Sequence, residues 1–123
     1  MCLVVLAYKT IPGLPVVMAT NRDEFYSRPT APPALLRRSP AAFGGRDLKE
    51  GGTWLTVNEH GVAAALTNRG TAEPPRADLP SRGELCLEAS RCRNAGQAAA
   101  VVAAKMGRRR YNPFNLVVAD PDT

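Results

Sequence analysis

Cys2, directly after the initiator Met1, and Asp23, in the tetrad Asn21-Arg22-Asp23-Glu24, carry the most pointed chemistry in this chain. Removal of Met1 before a small residue leaves Cys2 as the mature N-terminus, so that one residue carries both a thiol and an α-amine. Their reference pKa values are about 8.5 and about 8. An amine poised near neutrality can take the thiol's proton and create its own nucleophile, and a nearby carboxylate can hold and orient the ammonium form. The competing reading is structural: cysteine is a small, commonly buried residue, and Cys2 on a core strand needs no further role.

The two residues are brought together by the elements between them. Apolar runs Cys2–Tyr8 and Pro15–Ala19 flank Pro12-Gly13, which predicts an antiparallel hairpin. A turn centred on Pro12-Gly13 sets Cys2 opposite Asp23 and puts Asn21 on the same face. Pro-Gly is not among the favoured two-residue hairpin turns, so the register is open to a slip. Arg22 alternates to the other face.

Elsewhere the chemistry is thinner. Phe25–Asp47 contains Pro29, Pro32, Pro33 and Pro40 and is expected to be an ordered surface loop without regular strand. The paired glycines Gly44-Gly45 and Gly51-Gly52 fit neither nucleotide-binding pattern. Thr53–Val57 and Val62–Thr67 predict a second hairpin around Asn58-Glu59-His60-Gly61. Asn68 closes its second strand on the face of Ala64 and Leu66, either as a turn former or as an amide donor aimed into a site. His60, the single histidine, falls in the turn, so a metal site is not expected. Ser81-Arg82-Gly83-Glu84 fits a capping box opening a helix with Leu85, Ala89 and Cys92 on one side. Asn94 opens a second helix whose core stripe is Ala98, Val101, Val102 and Met106, with Gly107 as its stop. Arg108-Arg109-Arg110 then sits at the negative end of the helix dipole. Phe114–Asp120 is a final strand.

The 123 residues make at most one domain, and 45% hydrophobic content supports a core. Sixteen basic against eleven acidic residues give +5, scattered and with few aromatics, which speaks against a nucleic-acid module. Three cysteines lack metal spacing, and Cys86 and Cys92 fall on different sides of a helix; this suits a reducing, cytoplasmic setting. No secretory leader or membrane span is read from the apolar runs. Paired strands followed by helices indicate an α+β, layered α/β fold. The last strand has just begun when the sequence stops, so 1–123 is expected to be the N-terminal part of one domain, completed by its remainder or by a second chain.

Met1-Cys2 with its apolar strand, Ala19–Phe25 around the tetrad, Gly51-Gly52-Thr53-Trp54-Leu55, Asn58-Glu59 with Gly61, Leu66-Thr67-Asn68, Ser81–Glu84 and Tyr111-Asn112 with Phe114-Asn115-Leu116 together resemble the transport and Golgi organisation protein 2 family, also called the NRDE family. That family is in turn similar to N-terminal nucleophile hydrolases. The resemblance implies an αββα sandwich, incomplete in this chain. It also implies a hydrolase of a non-peptide amide with Cys2 as nucleophile, Asp23 on the α-amine and Asn68 at the oxyanion. Asn21, Arg22 and Trp54 are expected as binding residues beside them. Those hydrolases carry an arginine shortly before the aspartate, where this chain has Ala19-Thr20. The family is also linked to secretory-pathway organisation, mitochondrial lipid metabolism and haem mobilisation. The alternative it implies is a non-enzymatic haem or acyl-lipid carrier with no resident cofactor, Cys2 then being a thiolate ligand to haem.

Overall fold

The structure, a computed structural model, describes residues 2–123. It begins with the expected hairpin, β1 (Val4–Ile11) and β2 (Leu14–Thr20). Gly13 takes φ 76° after Pro12, the geometry of a type II turn, whose twist does not match paired strands. The mismatch is absorbed next door. Lys9 takes φ 53°, and the pairing shifts between Tyr8 and Ile11: Ile11 faces Leu14, but Tyr8 faces Val16 and Val4 faces Thr20. The bulge moves the whole register by one residue. Cys2 is therefore not paired with Asp23 as expected; both lie beyond the ends of the strands.

The proline-rich stretch 25–47 is not a loop throughout. It forms β3 (Thr30–Arg38) and β4 (Ala41–Asp47), an antiparallel pair. The five-stranded sheet runs β3-β4-β5-β6-β7, with β5 Leu55–Asn58, β6 Ala63–Asn68 and β7 Phe114–Ala119, all neighbours antiparallel. The prolines are tolerated because β3 is the edge strand and Pro32-Pro33 fall where its register shifts, between Ala31 and Ala34.

Helices α1 (Gly83–Ala89) and α2 (Ala95–Arg108) cover one face of the sheet. Val62, Ala64 and Leu66 pack there with Cys86, Ala89, Cys92 and Ala98, and Leu116 and Val118 close the cluster. Asn94 caps α2 as expected, its Oδ1 accepting from the Gln97 N–H at 2.8 Å. Gly107 does not end α2, which runs to Arg108, and Met106 stays half exposed. The capping box at α1 does not form either. Arg82 holds the N-cap position without a side-chain cap, and Glu84 instead accepts from the Tyr111 hydroxyl and from Arg109.

The opposite face of β6, Ala63 and Ala65, is buried where the β1–β2 hairpin packs across it. The order is helices, sheet, hairpin: a layered α+β fold. The hairpin covers only part of that face. Leu35, Phe43 and Val57, cross-strand neighbours on β3, β4 and β5, remain 47%, 53% and 47% exposed. Among the described residues no helix is long and apolar enough to cross a membrane.

Candidate functional site

A cavity of about 350 Å³ opens beyond the ends of β2, β4 and β6 and the start of α1. Cys2, Asn21, Arg22, Asp23, Trp54 and Asn68 all line it. Residues distant in sequence thus meet because the hairpin lies across β6 and delivers its open end to one end of the sheet.

Cys2 is partly buried, and its Sγ lies 3.9 Å from the main-chain oxygen of Asp23. The next residue is pinned from three sides. Leu3 N–H donates to Asn21 Oδ1 at 2.7 Å, Leu3 O accepts from the Thr20 hydroxyl at 2.8 Å, and Leu3 O also accepts from Asn21 N–H at 3.3 Å. Thr20 was not among the residues expected to matter, and Asn21 spends its amide oxygen on the backbone beside the thiol. Together they fix where Cys2 sits.

Arg22 does not turn away from the site, because residues 21–25 are irregular and strand alternation no longer applies. Its guanidinium lies over the Trp54 ring, 4.6 Å from the centroid. Nη1 donates to Thr30 Oγ1 at 2.6 Å, and Nη2 lies 3.5 Å from Asp47 Oδ1. Asp47 is the hub: Arg28 donates to both of its oxygens, Nε to Oδ1 at 3.0 Å and Nη2 to Oδ2 at 2.5 Å. Glu24 lies 3.7 Å from Arg28 Nη1. Burial pushes the Asp47 carboxyl up, but the Arg28 hydrogen bonds, the Lys49 N–H and the charges of Arg28 and Arg22 outweigh it and leave it below the usual carboxylate range. The hub escapes a sequence reading because Asp47 lies in what composition marks as loop. The signal available was the arginine of the tetrad, which needed a partner.

Glycines set the distances. A Cβ on Gly45 would fall 2.3 Å from the Trp54 ring, and one on Gly52 would fall 2.7 Å from the carbonyl carbon of Gly83. The Gly51-Gly52-Thr53-Trp54 and Ser81-Arg82-Gly83 segments are therefore packed backbone to backbone. Asn112 holds the proline-rich segment at the cavity rim, its Oδ1 accepting from Arg76 N–H at 2.9 Å and its Nδ2 donating to Arg76 O at 2.8 Å. Asn68, at the exposed end of β6, faces Phe114 across the ladder.

The lining is strongly charged, with Asp23, Glu24, Asp47 and Glu50 set among four arginines and Lys49. Cys2 is its one soft ligand, and His60 lies outside it in an exposed turn.

Residues 1–123 match the family Transport and Golgi organisation 2. A stretch of 113 residues is 35% identical to the human Transport and Golgi organization protein 2 homolog, covering 88% of this chain and 40% of that protein. The bovine homolog is 34% identical over 109 residues, covering 85% of this chain and 38% of its own length. Transport and Golgi organization protein 2 of Drosophila melanogaster is 35% identical over 82 residues, covering 62% and 29%. The chain thus spans less than half the length of the relatives it matches. With the family matched from the first residue to the last, and with the tetrad, the Trp54 segment and the Ser81–Glu84 segment meeting at one cavity, the chain belongs to the transport and Golgi organisation 2 family.

Proposed function

We propose that the protein is an amidohydrolase of the N-terminal nucleophile type, acting on a non-peptide C–N bond. The observation that supports this is the shared cavity: the partly buried Cys2 thiol, 3.9 Å from the Asp23 carbonyl, with Asp23 and Asn68 in the same lining.

In this reading Met1 is removed and the Cys2 α-amine takes the thiol proton. The thiolate adds to the amide carbonyl carbon, and Asn68 donates to the oxyanion that forms. A donor in that role is worth about 3 kcal/mol of barrier. The C–N bond then breaks as the α-ammonium returns its proton to the leaving amine, and the acyl group stays on sulfur. Water, deprotonated by the α-amine, cleaves the thioester and releases the acid. Asp23 holds the ammonium state. The bonds from Thr20 and Asn21 to Leu3 keep the nucleophile in place.

The test is intact-protein mass spectrometry on protein made in cells, before and after iodoacetamide at neutral pH, followed by an amide-substrate screen with Cys2→Ala and Cys2→Ser. The other thiols make a quiet background. Burial pushes Cys86 up to about 12, and burial followed by the charge of Glu88 also raises Cys92. Loss of Met1, fast single labelling at Cys2 and turnover lost in both variants without unfolding support the reading. Retained Met1, or turnover that survives either substitution, overturns it.

The second reading is a carrier for an acyl-lipid. It is favoured by the exposed row Leu35, Phe43 and Val57 and by the exposed Leu3, Val5 and Leu14 of the hairpin. It predicts saturable binding of a fluorescent fatty acid that Cys2→Ala leaves unchanged.

A further inference from the structure

Four arginines line the cavity, and three of them are committed. Arg22 and Arg28 share Asp47, Arg28 also faces Glu24, and Arg76 takes Asp78. Arg82 makes no ion pair with any carboxylate among the described residues. Its hydrogen bond runs from Nη1 to the main-chain oxygen of Pro113 at 2.8 Å. That bond fixes the guanidinium but engages one of its five N–H donors.

We propose that Arg82 is the anchor for the carboxylate of an anionic amide bound in this cavity, the amide lying toward Cys2. That the ligand is an amide rests on the nucleophile reading above; the anion site rests on Arg82 itself. Arg82 is partly buried, so its charge has lost part of its water without gaining a carboxylate in contact with it among the described residues. Its pKa is lowered by that burial and by the like charge of Arg28, against the opposing pull of Glu24 and Cys2. An anion delivered by a ligand restores what the fold withholds. Its charge state also follows from the lining. Asp23, Glu24, Asp47 and Glu50 disfavour a dianion, whereas one carboxylate matches the guanidinium fork. The volume, about 350 Å³, suits a small molecule.

The experiment compares N-hexanoylglycine with N-hexanoylglycinamide, binding each to the 123-residue chain and following it by ligand-observed NMR. The acid should bind roughly tenfold tighter than the neutral amide, the scale of one favourable charge-assisted contact. Arg82→Gln should abolish that difference and Arg82→Lys should keep part of it. Thermal melts establish that each variant folds; if Arg82→Gln does not, the Lys variant and the loss of acid selectivity with added salt carry the test. Equal binding of acid and amide, selectivity that survives Arg82→Gln, or no binding of either compound overturns the anchor. Iodoacetamide labelling of Cys2 in the same samples reports separately on the nucleophile. An inert Cys2 beside an intact, Arg82-dependent acid preference would remove the hydrolase reading and leave the anion site standing.

Discussion

Arg22 lies over the ring of Trp54, 4.6 Å from its centroid, and this contact joins the Asn21–Glu24 tetrad to the Gly51–Leu55 segment. Two motifs that look independent in sequence are one structural unit. A guanidinium over an indole at a partly buried position contributes about 1 kcal/mol beyond simple burial. A double-mutant cycle with Arg22→Met and Trp54→Leu should return a coupling of about that size in unfolding free energy. Additive losses would mean that the stacking is incidental and that Arg22 is held by Asp47 and Thr30 alone.

Asp47 is the second joint of the same unit, and its effect should depend on pH. Its folded carboxyl titrates below the ordinary range, so its contribution is fully present above the unfolded value of about 3.9 and is lost as pH falls through the lower folded value. Asp47→Asn leaves Arg28 and Arg22 without their shared anion and should cost roughly 2 kcal/mol near pH 7, a discount on the cost of breaking a fully buried pair. The gap between wild-type and variant stability should then narrow below about pH 4, as the wild-type carboxyl takes up its proton. Denaturant melts at pH 7, 4 and 3 check this; a gap that stays constant across that range would show that the ion pairs contribute little.

The contrast between what could and could not be read from residue order is itself physical. Both hairpins, the two helices, the final strand and the Asn94 cap follow from local rules: alternation, punctuation by Gly and Pro, and Asx side chains that satisfy nearby N–H groups. The stretch 25–47 could not be read that way. A proline at a sheet edge costs no ladder bond, and whether a strand is an edge is decided by the whole sheet. The slip of β1 against β2 was hidden for a similar reason, since the bulge at Lys9 answers a twist that only paired strands possess. At the site, Cys2, Asp23 and Asn68 stand out by residue type and by family resemblance. Asp47 and Arg82 gain meaning only from what three-dimensional packing sets beside them. Glu84 shows the opposite failure: it matches a local capping pattern but is drawn to Tyr111, Lys105 and Arg109.

Asn58 anchors the sheet to the helical layer. Its Oδ1 accepts from His60 N–H and Val62 N–H, each at 3.0 Å, and its Nδ2 donates to Ser90 O at 3.1 Å and Cys92 O at 2.7 Å. The residue is buried, and the Val62 N–H and the Ser90 and Cys92 carbonyls would lose its amide in the buried interior, while the His60 N–H lies nearer the surface. Asn58→Ala should destabilise the fold by roughly 3 kcal/mol. Asn58→Asp should be no milder, because a carboxylate would face the carbonyls of Ser90 and Cys92. Urea melts of the two variants check this, and a loss below about 1 kcal/mol in either would show that the turn is held by its backbone alone.

Gly52 offers the sharpest test of how the site is assembled. It has no need of a left-handed conformation, so its role is purely one of distance. A Cβ there would fall 2.7 Å from the carbonyl carbon and 2.8 Å from the Cα of Gly83, and backbone cannot move aside as the end of a long side chain can. The two segments must separate by about 0.3 Å to relieve the clash and by about 0.7 Å to reach ordinary contact, which would stretch the Thr53 N–H to Gly83 carbonyl bond, already 3.4 Å long. Gly52→Ala should therefore cost about 2 kcal/mol, as overpacking of a close contact does. It should also shift Arg82, which immediately precedes Gly83, and so disturb the cavity from a position outside the proposed chemistry. Gly70→Ala is the control, because nothing lies within 4 Å of its added carbon. Thermal melts compare stability, and the rate of Cys2 alkylation compares the state of the cavity. Gly52→Ala should change both while Gly70→Ala changes neither, and a Gly52→Ala protein as stable as wild type would mean that the β5 and α1 termini are not in fact held at this separation.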